Sequence, residues 1–198
     1  VPSLAFHGSS GLQPRSRTVS ASLRGAHRFI AYVDNAPLHM SFTIQDMNRH
    51  AGKDPITVTA FRLGDDAHPV ASAALADDGN AEGDQRSSKL RIVELATSTL
   101  AAGAYAIDVS ATDDAFIRSF ETDATKLVVA GRLYLGDFIG YSDRVPWVTV
   151  YASGERLTAT TDHPESAQTL RVGSSDLVLA DITTPHSISI PAGFAPVT

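Results

Sequence analysis

Hydrophobic and polar residues alternate with a period of two along most of this chain, and Gly, Asp and Asn residues separate the alternating segments. In the segment from Leu38 to Gln45, the apolar side chains of Leu38, Met40, Phe42 and Ile44 fall on one face and polar residues fall on the other. Successive side chains of a strand point to opposite faces, so this pattern predicts a half-buried β-strand.

Similar segments recur at a spacing of about ten residues, which is typical of antiparallel sandwiches and barrels. The other predicted strands are Thr18 to Leu23, His27 to Val33, Ile56 to Leu63, Val70 to Leu75, Leu90 to Leu95, Ala104 to Ser110, Phe116 to Phe120, Lys126 to Leu135, Trp147 to Ala152, Arg156 to Thr161, Gln168 to Val172, Leu177 to Ala180 and Ser187 to Ile190. The segment from Val93 to Ala102 is rich in Ala and Leu, which leaves one helical turn as an alternative there. The sequence therefore predicts an all-β fold, an antiparallel β-sandwich of jelly-roll-like type.

The domain organisation has two interpretations. Residues 23–114 and 115–198 form either two packed β lobes or one larger sandwich that the second part completes. Residues 1–22 are a tail rich in Ser, Arg, Gly and Pro. We expect this tail either to run along the sandwich as an edge strand or to add a strand to a neighbouring copy.

The segment from His27 to Val109 resembles the bacterial pre-peptidase C-terminal type of domain. The resemblance rests on the opening strand at His27, the strands from Leu38 and from Ile56, and the closing phrase from Leu100 to Val109, in which Gly103 precedes an alternating strand. It implies a secreted β-sandwich that serves as a non-catalytic accessory module. The acidic segment from Asp77 to Gln85 and the strands after Asp114 depart from that pattern.

Composition and charge narrow the function classes. The formal net charge is -6, and Lys and Arg are scattered singly, so nucleic acid is not an expected partner. The chain has no apolar run of the roughly 20 residues that a membrane-spanning helix needs. Cysteine is absent, which excludes a disulfide framework and a thiolate nucleophile. The start at Val1-Pro2-Ser3 predicts export by a signal peptide to the cell surface or the extracellular space.

Two acidic loops are candidate Ca²⁺ sites, because Ca²⁺ takes six to eight oxygen ligands from flexible loops. Oxygen-bearing side chains occupy every second position from residue 78 to residue 84, and the loop before Ile56 holds further Asp and Asn residues. The predicted ligands are Asp78, Asn80, Glu82, Asp84, Asp46 and Asn48. In a jelly roll the loop from Gln45 to Asp54, which also holds Asp54, is expected beside the loop from Asp77 to Asp84, and Asp113 and Asp114 are further candidate ligands. The alternative is that these residues are solvated or cap turns through their own backbone.

Aromatic residues in the second half are candidates for sugar binding. Tyr134, Tyr141, Trp147 and Tyr151 lie in the second half near Arg132 and Arg144, and exposed flat rings stack on sugar rings while Arg binds hydroxyls. The alternative for Trp147 is a core position at the start of a strand.

The predicted function is that of a non-catalytic structural or adhesive protein, which self-associates by strand addition into an extracellular fibre or layer. A carbohydrate-binding accessory module with a cell-surface polysaccharide as partner is one alternative, and a polysaccharide-degrading enzyme is another, since any two acidic residues can meet in space. Nucleophile elbows, phosphate-binding loops and paired zinc-binding histidines are absent from the sequence.

Overall fold

The computed structural model describes residues 16–136, 149–162 and 167–198. In these ranges the chain forms sixteen strands and one short 3₁₀ turn, Pro191–Gly193. The strands are β1 Arg17–Val19, β2 Leu23–Arg24, β3 His27–Val33, β4 His39–Asp46, β5 Ile56–Arg62, β6 Pro69–Leu75, β7 Arg91–Ala96, β8 Gly103–Ser110, β9 Ala115–Thr122, β10 Lys126–Ala130, β11 Val150–Ser153, β12 Arg156–Ala159, β13 Gln168–Val172, β14 Ser175–Leu179, β15 His186–Ser189 and β16 Phe194–Val197.

Two five-stranded antiparallel sheets pack face to face, which confirms the predicted all-β sandwich. One sheet has the order β1-β9-β4-β7, with β2 also paired to β9, and the other has the order β10-β3-β8-β5-β6. The alternation along β4 explains the packing, because Met40, Phe42 and Ile44 are at most 1% exposed. Phe29, Phe42 and Phe120 meet in the centre with ring centroids 5.1 to 5.9 Å apart.

The segment from Val93 to Ala102 begins as a strand and has no helical turn. Strand β7 pairs with β4 from Arg91 to Ala96, and Val93 and Leu95 point into the core. Cross-strand pairing and burial of alternate residues outweigh the helix propensity of Ala and Leu here.

The N-terminal segment closes one edge of the first sheet. Residues Arg17–Val19 run antiparallel to β9 opposite Phe120–Thr122. Residues 1–15 lie outside the described part of the chain, so strand addition by that segment stays a prediction.

The remaining strands surround a smaller second core. Strands β11, β16, β13 and β14 form a four-stranded sheet, and β12 pairs with β15. Leu133 packs against both cores, and Tyr134 donates a hydrogen bond from its hydroxyl to Asp162, at 2.6 Å.

Strands β9 and β10, which the sequence-based division assigns to the second part, pair with β4 and β3 of the first.

Candidate functional site

Three loops meet at one end of the sandwich. They are residues 47–55 between β4 and β5, residues 76–90 between β6 and β7, and residues 111–114 between β8 and β9. The strand order brings them together, because β4 lies between β9 and β7 in one sheet and β5 lies between β8 and β6 in the other.

Backbone hydrogen bonds join these loops directly. Gln85 N–H donates to the Asn48 carbonyl at 2.8 Å, and Ser88 N–H donates to the Asp46 carbonyl at 2.8 Å. Met47 N–H donates to the Asp114 carbonyl at 3.0 Å, which ties in the third loop. Hydrogen bonds between backbone groups therefore hold the three loops together.

Gly83 permits the closest approach between two of the loops. Its φ of 68° lies in the left-handed region, and a Cβ at this position would lie 2.5 Å from the Ala51 nitrogen. Only glycine combines that conformation with so little space.

The centre of the loop end is an acidic cluster. Ligand oxygens of Asp46, Asp54 and Asp77 all lie within 4.8 Å of one another. Asp46 is fully buried, Asp54 is 6% exposed and Asp77 is half-buried. Carboxylates in such proximity repel one another unless a proton or a cation lies between them.

In two of the acidic side chains, one oxygen holds the loop and the other has no partner. Asp46 Oδ1 accepts the Asn48 N–H at 3.0 Å, and Asp114 Oδ2 accepts the His50 N–H at 2.7 Å. Within the described part of the chain, the opposite oxygens, Asp46 Oδ2 and Asp114 Oδ1, are buried without a hydrogen-bond partner, and so is Asn48 Oδ1. Buried polar atoms are normally satisfied, so these unpartnered oxygens make the loop end a candidate site for a positively charged ligand.

Asp54 and Asp77 are connected through the same network. The Thr112 hydroxyl donates to Asp54 Oδ1, and the Asp54 N–H donates to Asp77 Oδ1 at 2.8 Å. That second hydrogen bond, with help from Arg91 and Lys53, lowers the pKa of Asp77 below its usual value. The two cations offset part of the negative charge of the cluster.

Asp46 is the residue of the acidic cluster whose charged form is most disfavoured. Burial raises its pKa from 3.8 to about 6, and the carboxylates of Asp54, Asp78 and Asp114 act in the same direction, against the effect of the Asn48 N–H. The charged form of Asp46 is therefore costly in the folded protein.

The six predicted metal ligands fall into two groups. Asp46 and Asn48 are in the acidic cluster, and Asp78 borders it by accepting the Asn48 amide N–H at 3.0 Å. Asn80 and Asp84 bond to each other at 2.8 Å, and Arg86 pairs with Asp84 and lowers its pKa to about 2. Glu82 is exposed.

The loop end also contains acidic residues that the alternating pattern from residue 78 to residue 84 does not include. Asp77 precedes the alternating run, and Asp54 and Asp114 come from other loops. Their common signal is position, since each lies within two residues of the end of a strand. Of the predicted sugar-binding residues, Tyr141, Arg144 and Trp147 lie outside the described residues, and Tyr151 is on β11 with its side chain 40% exposed.

The fold and the loop end define a β-sandwich with a candidate centre for a hard cation. None of the helices in the described residues is long and apolar enough to cross a membrane.

No family model and no curated protein matches this sequence. Among solved structures, dimeric latent PorU from Porphyromonas gingivalis is similar at 14% identity and a TM-score of 0.31. The match covers 92% of this chain but 17% of the PorU chain, so this chain spans less than a fifth of that protein. A TM-score of this size does not establish a shared fold.

Proposed function

We propose that this chain is a non-catalytic structural or adhesive β-sandwich module of a secreted or cell-surface protein, and that one Ca²⁺ ion holds its three-loop end together. The observation that carries the proposal is the convergence of Asp46, Asp54 and Asp77 within 4.8 Å. Residues far apart in sequence supply the ligands, so the ion would staple separate loops.

The donor set favours Ca²⁺ over softer metals. The cluster offers carboxylate and amide oxygens from Asp and Asn, which hard cations prefer. With Asn48 Oδ1 and the unpartnered oxygen of Asp114, five residues would offer ligands, and bidentate carboxylates would supply the rest of the six to eight oxygens that Ca²⁺ takes. Mg²⁺ needs a smaller and more regular octahedral site, which irregular loops are poorly suited to supply.

The hydrogen bonds of the cluster support a structural role. Asp46, Asp77 and Asp114 each accept a backbone N–H of a loop, so the carboxylates position loops as well as offer ligand atoms. Extracellular Ca²⁺ is available to such a site, and binding to the folded state alone stabilises it by RT ln(1 + [L]/Kd).

Thermal unfolding in Ca²⁺ and in chelator tests this proposal. At about one hundred times Kd, the ion contributes about 2.7 kcal/mol, which for a chain of this length raises Tm by about 5–10 °C. The Asp77→Asn variant should lose this increase. Asp176→Asn, which changes an exposed carboxylate paired with Arg171, is the matched control and should keep it. Equal Ca²⁺ responses in both variants, or none in the wild type, would reject the proposal.

A further inference from the structure

Four arginine side chains collect around two aromatic rings on the outer side of β9. The guanidinium carbons of Arg24, Arg49 and Arg118 lie 5.9, 5.5 and 4.7 Å from the Phe116 ring centroid. Arg24 and Arg132 lie 5.3 and 4.2 Å from the Tyr134 ring centroid. We refer to Arg24, Arg49, Arg118 and Arg132 as the arginine cluster.

The arginine cluster and the acidic cluster lie on opposite sides of the same chain segment. Asp46 and Asn48 face the acidic cluster. Gln45 and Met47 face the other way, where Gln45 Oε1 accepts a hydrogen bond from Arg118 at 2.9 Å and Met47 Sδ accepts one at 3.2 Å. Arg49 continues this side over Phe116. This segment thus separates the buried acidic cluster from the arginine cluster.

Two members of the arginine cluster are held in place. Arg24 Nε donates to the Asp113 carbonyl at 2.7 Å, and its terminal nitrogen donates to the Tyr134 hydroxyl at 2.9 Å. Arg118 donates to Gln45 and to the Ser22 hydroxyl, both at 2.9 Å. Stacking on rings further limits their motion. A ligand would meet guanidinium groups that are already ordered.

The charge of the arginine cluster is only partly balanced. In residues 16–136, 149–162 and 167–198, no carboxylate oxygen lies within 4.0 Å of a nitrogen of Arg24, Arg49 or Arg132, whereas Arg28, Arg86 and Arg171 all have such partners. Asp113 and Asp162 lie near Tyr134 and offset some of the charge. In a chain with a formal net charge of -6, this concentration of arginines makes a local positive surface.

We propose that the arginine cluster binds the sulfate or carboxylate groups of an acidic polysaccharide. Guanidinium groups bind such oxyanions through two parallel hydrogen bonds. The guanidiniums of Arg24, Arg49 and Arg132 are spread over two rings and exceed what one small anion can contact, whereas a polymer presents anions at regular intervals. This site goes beyond the proposed structural role, and its residues are separate from the cation ligands.

Binding of a sulfated hexasaccharide to the full chain, measured by titration calorimetry, tests the inference. The double variant Arg49→Ala/Arg132→Ala should weaken binding at least tenfold. The control Arg62→Ala/Arg171→Ala removes the same charge from exposed positions elsewhere and should change the affinity less than twofold. Arg132, Arg62 and Arg171 are exposed and Arg49 is half-buried, so both variants should remain folded, with Tm values within about 4 °C of the wild type. Inorganic sulfate and an uncharged hexasaccharide are the comparison ligands.

The outcomes distinguish a polymer site from a small-anion site and from attraction by overall charge. Tight binding of the sulfated hexasaccharide that is lost in the Arg49/Arg132 variant alone supports the inference. Equal losses of affinity in both double variants would mean that binding depends on overall charge alone, and this result would overturn the inference. Binding of inorganic sulfate as tight as that of the hexasaccharide would overturn the polysaccharide assignment, and so would an absence of binding by the wild type. None of these results depends on Ca²⁺ binding.

Discussion

At the scale of single residues, the main electrostatic cost at the loop end comes from the charged form of Asp46. Its carboxylate is fully buried, one of its oxygens lacks a partner, and its pKa is raised from 3.8 to about 6. This rise in pKa corresponds to about 3 kcal/mol of unfavourable free energy for the charged form. A cation that binds the free oxygen would remove much of this cost.

The pH dependence of stability in chelator follows from that raised pKa. Because the folded-state pKa of Asp46 is raised, its favourable contribution is present below about pH 4 and is lost as the pH rises through about 6. The Asp46→Asn variant removes the titrating group. We therefore expect its stability in chelator, relative to the wild type, to increase by up to about 3 kcal/mol between pH 4 and 7, as measured by urea unfolding. A difference between the two proteins that does not change with pH would contradict the assignment.

At the scale of elements, alternation predicted most strands of the two five-stranded sheets, although the strand predicted from Thr18 to Leu23 is two short strands, β1 and β2. The predicted strand from Leu38 agrees with β4, because the residues that alternate are also those that pack. The strand predicted from Lys126 to Leu135 ends earlier, at Ala130. Gly131 follows with a φ of 79°, which ends the strand, and residues 133–136 turn toward β2 instead.

The acidic cluster was only partly predictable. Asp46 and Asn48 could be proposed because they follow a strong strand signal. Asp77 could not be separated from its neighbours, since its role depends on a hydrogen bond from the Asp54 backbone. Contacts between loops depend on which strands are neighbours, and the period of a sequence carries no information about strand order.

Substitution of Gly83 tests the contact between the two acidic loops. A Cβ there would lie 2.5 Å from the Ala51 nitrogen, in a backbone conformation that side chains disfavour. We expect Gly83→Ala to destabilise the chain by about 1–3 kcal/mol and to weaken Ca²⁺ binding, as measured by urea unfolding and calorimetry. Gly79→Ala is the control, because it shares a positive φ but has open space around its Cβ position. Equal Ca²⁺ affinities in the two variants would contradict a role for this contact.

At the scale of the whole molecule, the loop end combines parts of both sheets. Asp46 and Asp114 flank strands of one sheet, whereas Asp54 and Asp77 flank strands of the other. An ion bound there would join the two layers at one end, in a chain that has no cysteine to form a disulfide. This position explains how a single site could stabilise the complete sandwich.

The most direct test of the proposed calcium site is the stoichiometry of Ca²⁺ binding, measured by calorimetry on the chelator-treated chain at neutral pH. We expect one Ca²⁺ ion per chain at the acidic cluster, with binding abolished in Asp77→Asn and retained in Asp176→Asn. Absence of binding by the wild type, or binding that Asp77→Asn leaves unchanged, would contradict the calcium site.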